Sequence, residues 1–229
     1  LGISFVLIFL VFCHPVFSQG SGIGSELPWL EQELEQSRYS EFQKRMIITS
    51  AQELWELDAD TEELRKVLIT SIANKFDAYN IKKILSVFVD AKKNGISEKS
   101  LINKFKEGLA KKVDERLIVE AIIKEAGNLE IAQNLLKDYM LEEVTREHDV
   151  VVESLAEGLN NGVPQESLSE VLSRSVQEGK NTGEIIEVSS ELGNLSLRAY
   201  ELGFSEEEVK EVFQRAVSNR SDTVGICED

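Results

Sequence analysis

Apolar residues in this chain recur three and four positions apart. Ile81, Ile84, Leu85, Phe88 and Val89 fall on one helical face, and Val209, Val212, Phe213, Ala216 and Val217 repeat the spacing. Leu64, Val67, Leu68, Ser71 and Ile72 repeat it with one small polar residue. Each set makes an apolar stripe with charges opposite, the pattern of an amphipathic helix. No stretch sustains the apolar–polar alternation of a strand. The pattern predicts an all-α fold of antiparallel helical hairpins, stacked as a short solenoid or an irregular bundle.

Helix starts are marked by capping residues. Asp60, Ser97, Asp114 and Ser205 each precede an apolar residue by three or four positions, with Glu in the first turn. A side-chain oxygen there satisfies orphan N–H groups, and the carboxylates suit the positive end of the helix dipole. Pro164 holds the equivalent place at a further start, where its fixed φ costs nothing. Gly95, Gly162 and Gly203 stand two positions before three of these starts. Glycine is suited to the left-handed conformation that ends a preceding helix.

These junctions look like copies of one another. Asn94-Gly95-Ile96-Ser97-Glu98-Lys99-Ser100-Leu101 aligns with Asn161-Gly162-Val163-Pro164-Gln165-Glu166-Ser167-Leu168, and Leu202 to Val209 is a looser third. In a second register, Glu107-Gly108-Leu109 with Val113 and Ile118 matches Glu157-Gly158-Leu159 with Val163 and Leu168. The unit is one helix closed by Gly and reopened by a cap, and pairs of units have the size of helical-hairpin repeats. From Gly95 to about Val217 the chain resembles an uncharacterised group of exported bacterial proteins. Their repeats run Gly-(Val/Leu/Ile)-Pro-x-Glu-x-(Leu/Ile), often followed by Glu-Gly-Leu-Ala-Lys. Gly162 to Leu168 and Glu107-Gly108-Leu109-Ala110-Lys111 fit best, while Ser97 and Ser205 replace the proline elsewhere. The resemblance implies a secreted helical fold and transfers no catalytic or binding residue.

The N-terminal segment has a different character. Ile3 to Cys13 is uncharged and apolar, and Val16 and Ser18 occupy the −3 and −1 positions of a signal-peptidase cut between Ser18 and Gln19. The run is shorter than the about 20 residues that span a bilayer. No Lys or Arg precedes it and the sequence opens with Leu1, which we read as a truncated or mis-called start. Two rivals to cleavage at Ser18 stay open: lipidation at Cys13, against which bulky Phe12 stands, and an uncleaved anchor. Residues 1–18 are thus read as a signal peptide, 19–26 as a flexible linker and 27–93 as an N-terminal helical region. Residues 94–219 are read as a helical repeat region and 220–229 as a disordered tail.

Composition narrows the partners. The 229 residues carry 25 Lys+Arg against 41 Asp+Glu, a formal charge of −16, which opposes nucleic acid and anionic membranes as main partners. A hydrophobic share of 42% excludes a disordered chain, and 2 Cys exclude a disulfide-stapled scaffold. Cleavage would remove Cys13 and leave Cys227 as a lone thiol, with nothing beside it to lower its pKa.

Chemistry is sparse. His148 lies in Arg146-Glu147-His148-Asp149, where neighbours on a helix point in different directions and cannot both orient it; it reads as an ordinary histidine near a helix junction. No zinc or calcium spacing occurs; Asp58-Ala59-Asp60-Thr61-Glu62 reads as a helix cap, and Gly20 to Gly24 as a tether. Trp29, Trp55, Tyr39, Phe42, Phe76 and Tyr79 read as core filling, with an aromatic groove for sugar or peptide as the alternative. The expectation is an exported binding or scaffolding protein of the bacterial cell envelope with protein or peptide partners and no catalytic residue, cofactor or metal. The alternatives are a structural envelope protein without a dedicated ligand, and an enzyme of unrecognised class.

Overall fold

The computed structural model describes residues 27–57, 59–139, 148–213 and 215. Among them the chain is all-α, as the periodicity predicts. The helices are α1 (Leu27–Glu35), α2 (Glu41–Glu56), α3 (Thr61–Ala73), α4 (Ala78–Lys93), α5 (Glu98–Ala110), α6 (Glu115–Asp138), α7 (His148–Asn160), α8 (Gln165–Gln177) and α9 (Thr182–Glu201). A further helical stretch covers 206–213, and no strand occurs among the described residues.

The first six helices form two layers. α2, α4 and α6 lie side by side in one, α1, α3 and α5 in the other, and α5 packs against both α4 and α6. Helices within a layer are parallel. Arg38 and Tyr39, just before α2, donate to the carbonyls of Lys75 and Phe76, just before α4. Glu115, the first residue of α6, accepts the N–H of Asp77, the cap of α4, at 2.8 Å. Glu98, the first residue of α5, accepts the N–H of Asp60, the cap of α3, at 2.9 Å. Four-residue connections join α4 to α5 and α5 to α6, so consecutive helices run antiparallel. The N-termini of α2, α4 and α6 therefore share one edge, and those of α3 and α5 the other.

The caps are evenly placed. Ser40, Asp77 and Asp114 follow one another at 37 residues, and so do Asp60 and Ser97. Asp60 to Asp77, Ser97 to Asp114 and Pro164 to Asn181 are each 17 residues. Every one of these junctions except the α2 and α3 starts has a left-handed residue two positions before the cap. They are Lys75 (φ 58), Gly95 (72), Lys112 (54), Gly162 (85) and Gly179 (66), with Gly203 (90) before the 206–213 stretch. The residue after each turns back to the carbonyl five positions earlier, as Phe76 does to Ser71 and Val163 to Gly158, both at 3.0 Å. Phe76, Ile96 and Val163 are thereby folded into the core.

Past α6 the direction changes. Glu125 and Asn128 of α6 bond Asn160 at the end of α7, while Gln133 lies near His148 and Val152 at its start. The two helices are thus antiparallel although they are neighbours in one layer. α7 and α9 are parallel again: the Ser154 hydroxyl reaches the Ile186 carbonyl, and Gly162 abuts Tyr200 further along. The contact is close because it is lined by small residues; a Cβ on Gly193 would stand 3.5 Å from the Gly158 Cα. The second register of the sequence has a packing counterpart. A Cβ on Gly108 would lie 2.6 Å from Ile118, and one on Gly158 3.6 Å from Leu168, the first-turn apolar residue of the next helix in each case.

Core and surface depart from the sequence expectation in places. Val209 and Phe213 are buried, but Val212 is 58% exposed because it sits about 100° around the helix from Phe213. Ala216 and Val217 lie outside the described residues, as do residues 1–26 and 220–229, the signal, linker and tail segments.

The two kinds of glycine junction separate experimentally. At Gly162 a Cβ would meet the Tyr200 ring at 2.5 Å, whereas at Gly203 it would meet nothing within 4 Å. Both have positive φ, so Gly203→Ala should cost about 1 kcal/mol from backbone strain alone. Gly162→Ala should cost about 2 kcal/mol or more, because Tyr200 must also move. Urea midpoints of the two variants test the order.

Candidate functional site

The six junction residues singled out in the sequence all sit between helices. Gly95 and Gly162 link α4 to α5 and α7 to α8, and Gly203 links α9 to the 206–213 stretch. The Ser97 hydroxyl accepts from the Lys99 N–H, and Pro164 occupies its cap position without a side-chain bond. Ser205 and Glu208 form a reciprocal cap, the Ser205 N–H reaching the Glu208 carboxylate at 2.8 Å. These groups spend their hydrogen bonds on their own helix ends. Ser18 and Gln19, the predicted cleavage pair, lie outside the described residues, as do Cys13 and Cys227.

His148 opens α7 and is half-buried. Its Nδ1 stands 3.5 Å from Asp149 Oδ1. It edges a hollow of about 260 Å³, counting space open to solvent, between the Gly95-Ile96-Ser97 turn, Leu129 and Gln133 of α6, and Val152 and Glu153 of α7. The hollow brings one imidazole near the carboxylates of Asp149 and Glu153, with Ser97 on the same lining. Glu142, Glu143 and Glu147, which could form an acidic edge with Glu143 and Glu147 one turn apart, lie outside the described residues. No grouping of three or more His, Cys, Asp and Glu suited to a metal occurs among the described residues.

Among the described residues the most enclosed carboxylate is elsewhere. Glu125 of α6 is 5% exposed and accepts from the Ser100 hydroxyl of α5 and the Asn160 amide of α7, both at 2.6 Å. Asn160 in turn accepts from Asn128 at 2.8 Å. A buried carboxylate is tolerated only when its oxygens are occupied, and these two bonds occupy both. The network fastens three helices where the chain direction reverses.

Glu98 is the second such group. Burial works against its charge, but the Asp60 N–H, its own backbone N–H and Lys92 hold the carboxyl below its ordinary value of 4.5. Lys92 lies 3.3 Å away. On the same edge, hydrogen bonds from Lys106 and Lys66 hold Glu63 down to about 2. The sequence shows Glu98 and Glu115 only as first-turn carboxylates; that they reach the helix two positions back has no local signature.

No protein-family model, curated protein or solved structure matches this chain. No helix among the described residues is long and apolar enough to cross a membrane. The six aromatics of the N-terminal third divide between core and surface. Tyr39, Trp55 and Phe76 are buried, and the Tyr39 hydroxyl donates to the Phe76 carbonyl at 2.6 Å. Trp29 meets Trp55 edge-on at 6.4 Å, with the Arg65 guanidinium 4.7 Å over its ring. Phe42 and Tyr79, expected in the core, are 68% and 58% exposed because both lie in first turns that point out of the layer.

Two outcomes follow from the carboxylates. A depressed carboxyl stabilises the fold above its ordinary pKa, and that contribution is lost as pH falls through the lowered folded value. Stability should therefore drop as pH falls below 4.5, and Glu98→Gln should flatten this part of the curve, as read from urea midpoints across the acid range. Glu125→Ala should cost about 2 kcal/mol, because Asn160 and Ser100 are left without their acceptor. Faster amide exchange at the α5–α6–α7 contact would report it.

Proposed function

We propose that the chain is an exported helical-repeat protein of the bacterial cell envelope that binds or scaffolds other proteins or peptides. The observation that carries this is the 37-residue recurrence of caps in α2, α4 and α6 and in α3 and α5, each cap N–H of α3 and α4 held by a carboxylate of the helix two further on. Units of this size, each docked on the next, build extended surfaces suited to protein ligands. Export is supported by the uncharged Ile3–Cys13 run with Val16 and Ser18 placed for cleavage, and by the resemblance of the Gly162–Leu168 junction to exported bacterial proteins. Hydroxyl and carboxylate groups at the junctions are committed to helix ends, which favours a role in holding partners over one in transforming them.

The test is affinity capture with a tagged chain from Gln19 to Asp229 against an envelope extract, read by mass spectrometry. Recovery of one protein in comparable amount, lost on competition with untagged chain, is the expected outcome. An empty capture at both low and physiological salt would move the reading to a structural envelope role without a dedicated ligand.

A further inference from the structure

The net charge of −16 conceals a cationic edge. Around the caps of α2, α4 and α6, the segments 36–45, 73–82 and 110–119 carry eight Lys and Arg against four Asp and Glu. The corresponding segments around the caps of α3 and α5, 56–65 and 93–102, carry three cations against five carboxylates among the described residues. The two edges of the six-helix array thus differ in sign.

On the cationic edge the carboxylates are already engaged. Glu41 pairs with Lys44 at 2.7 Å, and Glu115 accepts the Asp77 N–H. Asp77 and Asp114 cap their own helices. The cations are not so engaged: Arg45, Lys75, Lys82, Lys112 and Arg116 are exposed and have no ion-pair partner among the described residues. They recur with the caps. Arg38, Lys75 and Lys112 are 37 residues apart, as are Arg45 and Lys82. Between these rows the first turns present large apolar groups, Phe42 and Tyr79 at the same interval and Leu117 beside Arg116, 55% exposed. Positive ends of three parallel helix dipoles lie under the same surface.

We infer that this edge is a docking surface for an extended acidic segment of a protein partner, laid across the N-terminal ends of α2, α4 and α6. The inference rests on the binding role proposed above and names the chemistry of its partner. Packed helices lie about 8–10 Å apart, so one cation row recurs at about that interval. A polyproline-II-like extended segment has three residues per turn and advances about 3.1 Å per residue, which brings a carboxylate on one face to each row at every third position, with apolar residues between. Nucleic acid fits less well, because the chain's overall charge repels a dense polyanion while a short acidic segment feels mainly the groups within about 8 Å.

The experiment titrates the full chain with a fluorescein-labelled peptide of about fifteen residues, Glu at every third position and Pro or Ala between, at about 0.15 M salt. The triple reversal Lys75→Glu, Lys82→Glu and Lys112→Glu is compared with Lys99→Glu, Lys124→Glu and Lys137→Glu, which change net charge equally away from this edge. Circular dichroism of both variants verifies the fold. The expected result is saturable binding that the first triple weakens at least about tenfold and the second about twofold or less, with a matched Lys peptide not bound at the edge. Equal binding by both triples, no binding by the wild type, or tighter binding of a thymidine oligonucleotide than of the peptide overturns the inference. Capture run in parallel separates the two readings. A protein recovered equally by wild type and the Lys75/Lys82/Lys112 reversal would sink the edge but leave the binding role, whereas an empty capture from both would remove the role itself.

Discussion

A helix begins with backbone N–H groups that nothing within it can satisfy. In the first half of this protein, the N–H of two capping residues is bonded by a carboxylate from the helix two further along. Glu98 does this for Asp60 and Glu115 for Asp77, and Arg38 and Tyr39 make the matching contact to the carbonyls before α4. Such a bond demands that the start of one helix lie beside the start of another. Connection lengths then have little freedom, and α3 and α5 come out at 13 residues each with 17 residues from cap to cap. The parallel layers, the shared edges and the grouping of like-charged first turns all derive from that constraint.

Beyond α6 the constraint is replaced by others. α6 runs for 24 residues and meets α7 head to tail, with Glu125 bonded to Ser100 and Asn160 at the crossing. α7 and α9 are joined by small residues, and the Ser189 hydroxyl within that contact bonds back to its own Ile185 carbonyl. A seam of Gly and Ser brings backbones together through dispersion and close fit, with little apolar area to contribute. Charge is also apportioned differently: residues 148–215 hold 14 Asp and Glu against 5 Lys and Arg.

What the sequence discloses is what has a local cause. Helical periodicity, the caps at Asp60, Ser97 and Asp114, and glycine before a start each act within a few residues, so they are legible one window at a time. Lys75 and Lys112 take the same left-handed turn as Gly95, yet nothing in a lysine announces it; core burial of Phe76 and the pairing of helix ends impose it. The register of 37 escapes notice for the same reason, since the aligned Asn94–Leu101 and Asn161–Leu168 junctions straddle the reversal and are 67 apart. First-turn placement puts Phe42 and Tyr79 outside, where hydrophobicity alone argues for the inside. Glu125 reads as one carboxylate among 41 until three helices close around it.

The bonds between helix ends also bear on how the chain acquires its structure. Lys106 to Glu63, the longest side-chain link described, spans 43 residues, and each helix finds its partners among its immediate and next-nearest neighbours. Contact order is accordingly low, and loop-closure entropy is spent in small, equal steps. A segment emerging from a ribosome or a translocation channel needs only about forty further residues before its first helix has both neighbours to dock against. Folding of the described helices can then keep pace with delivery, one helix pair at a time.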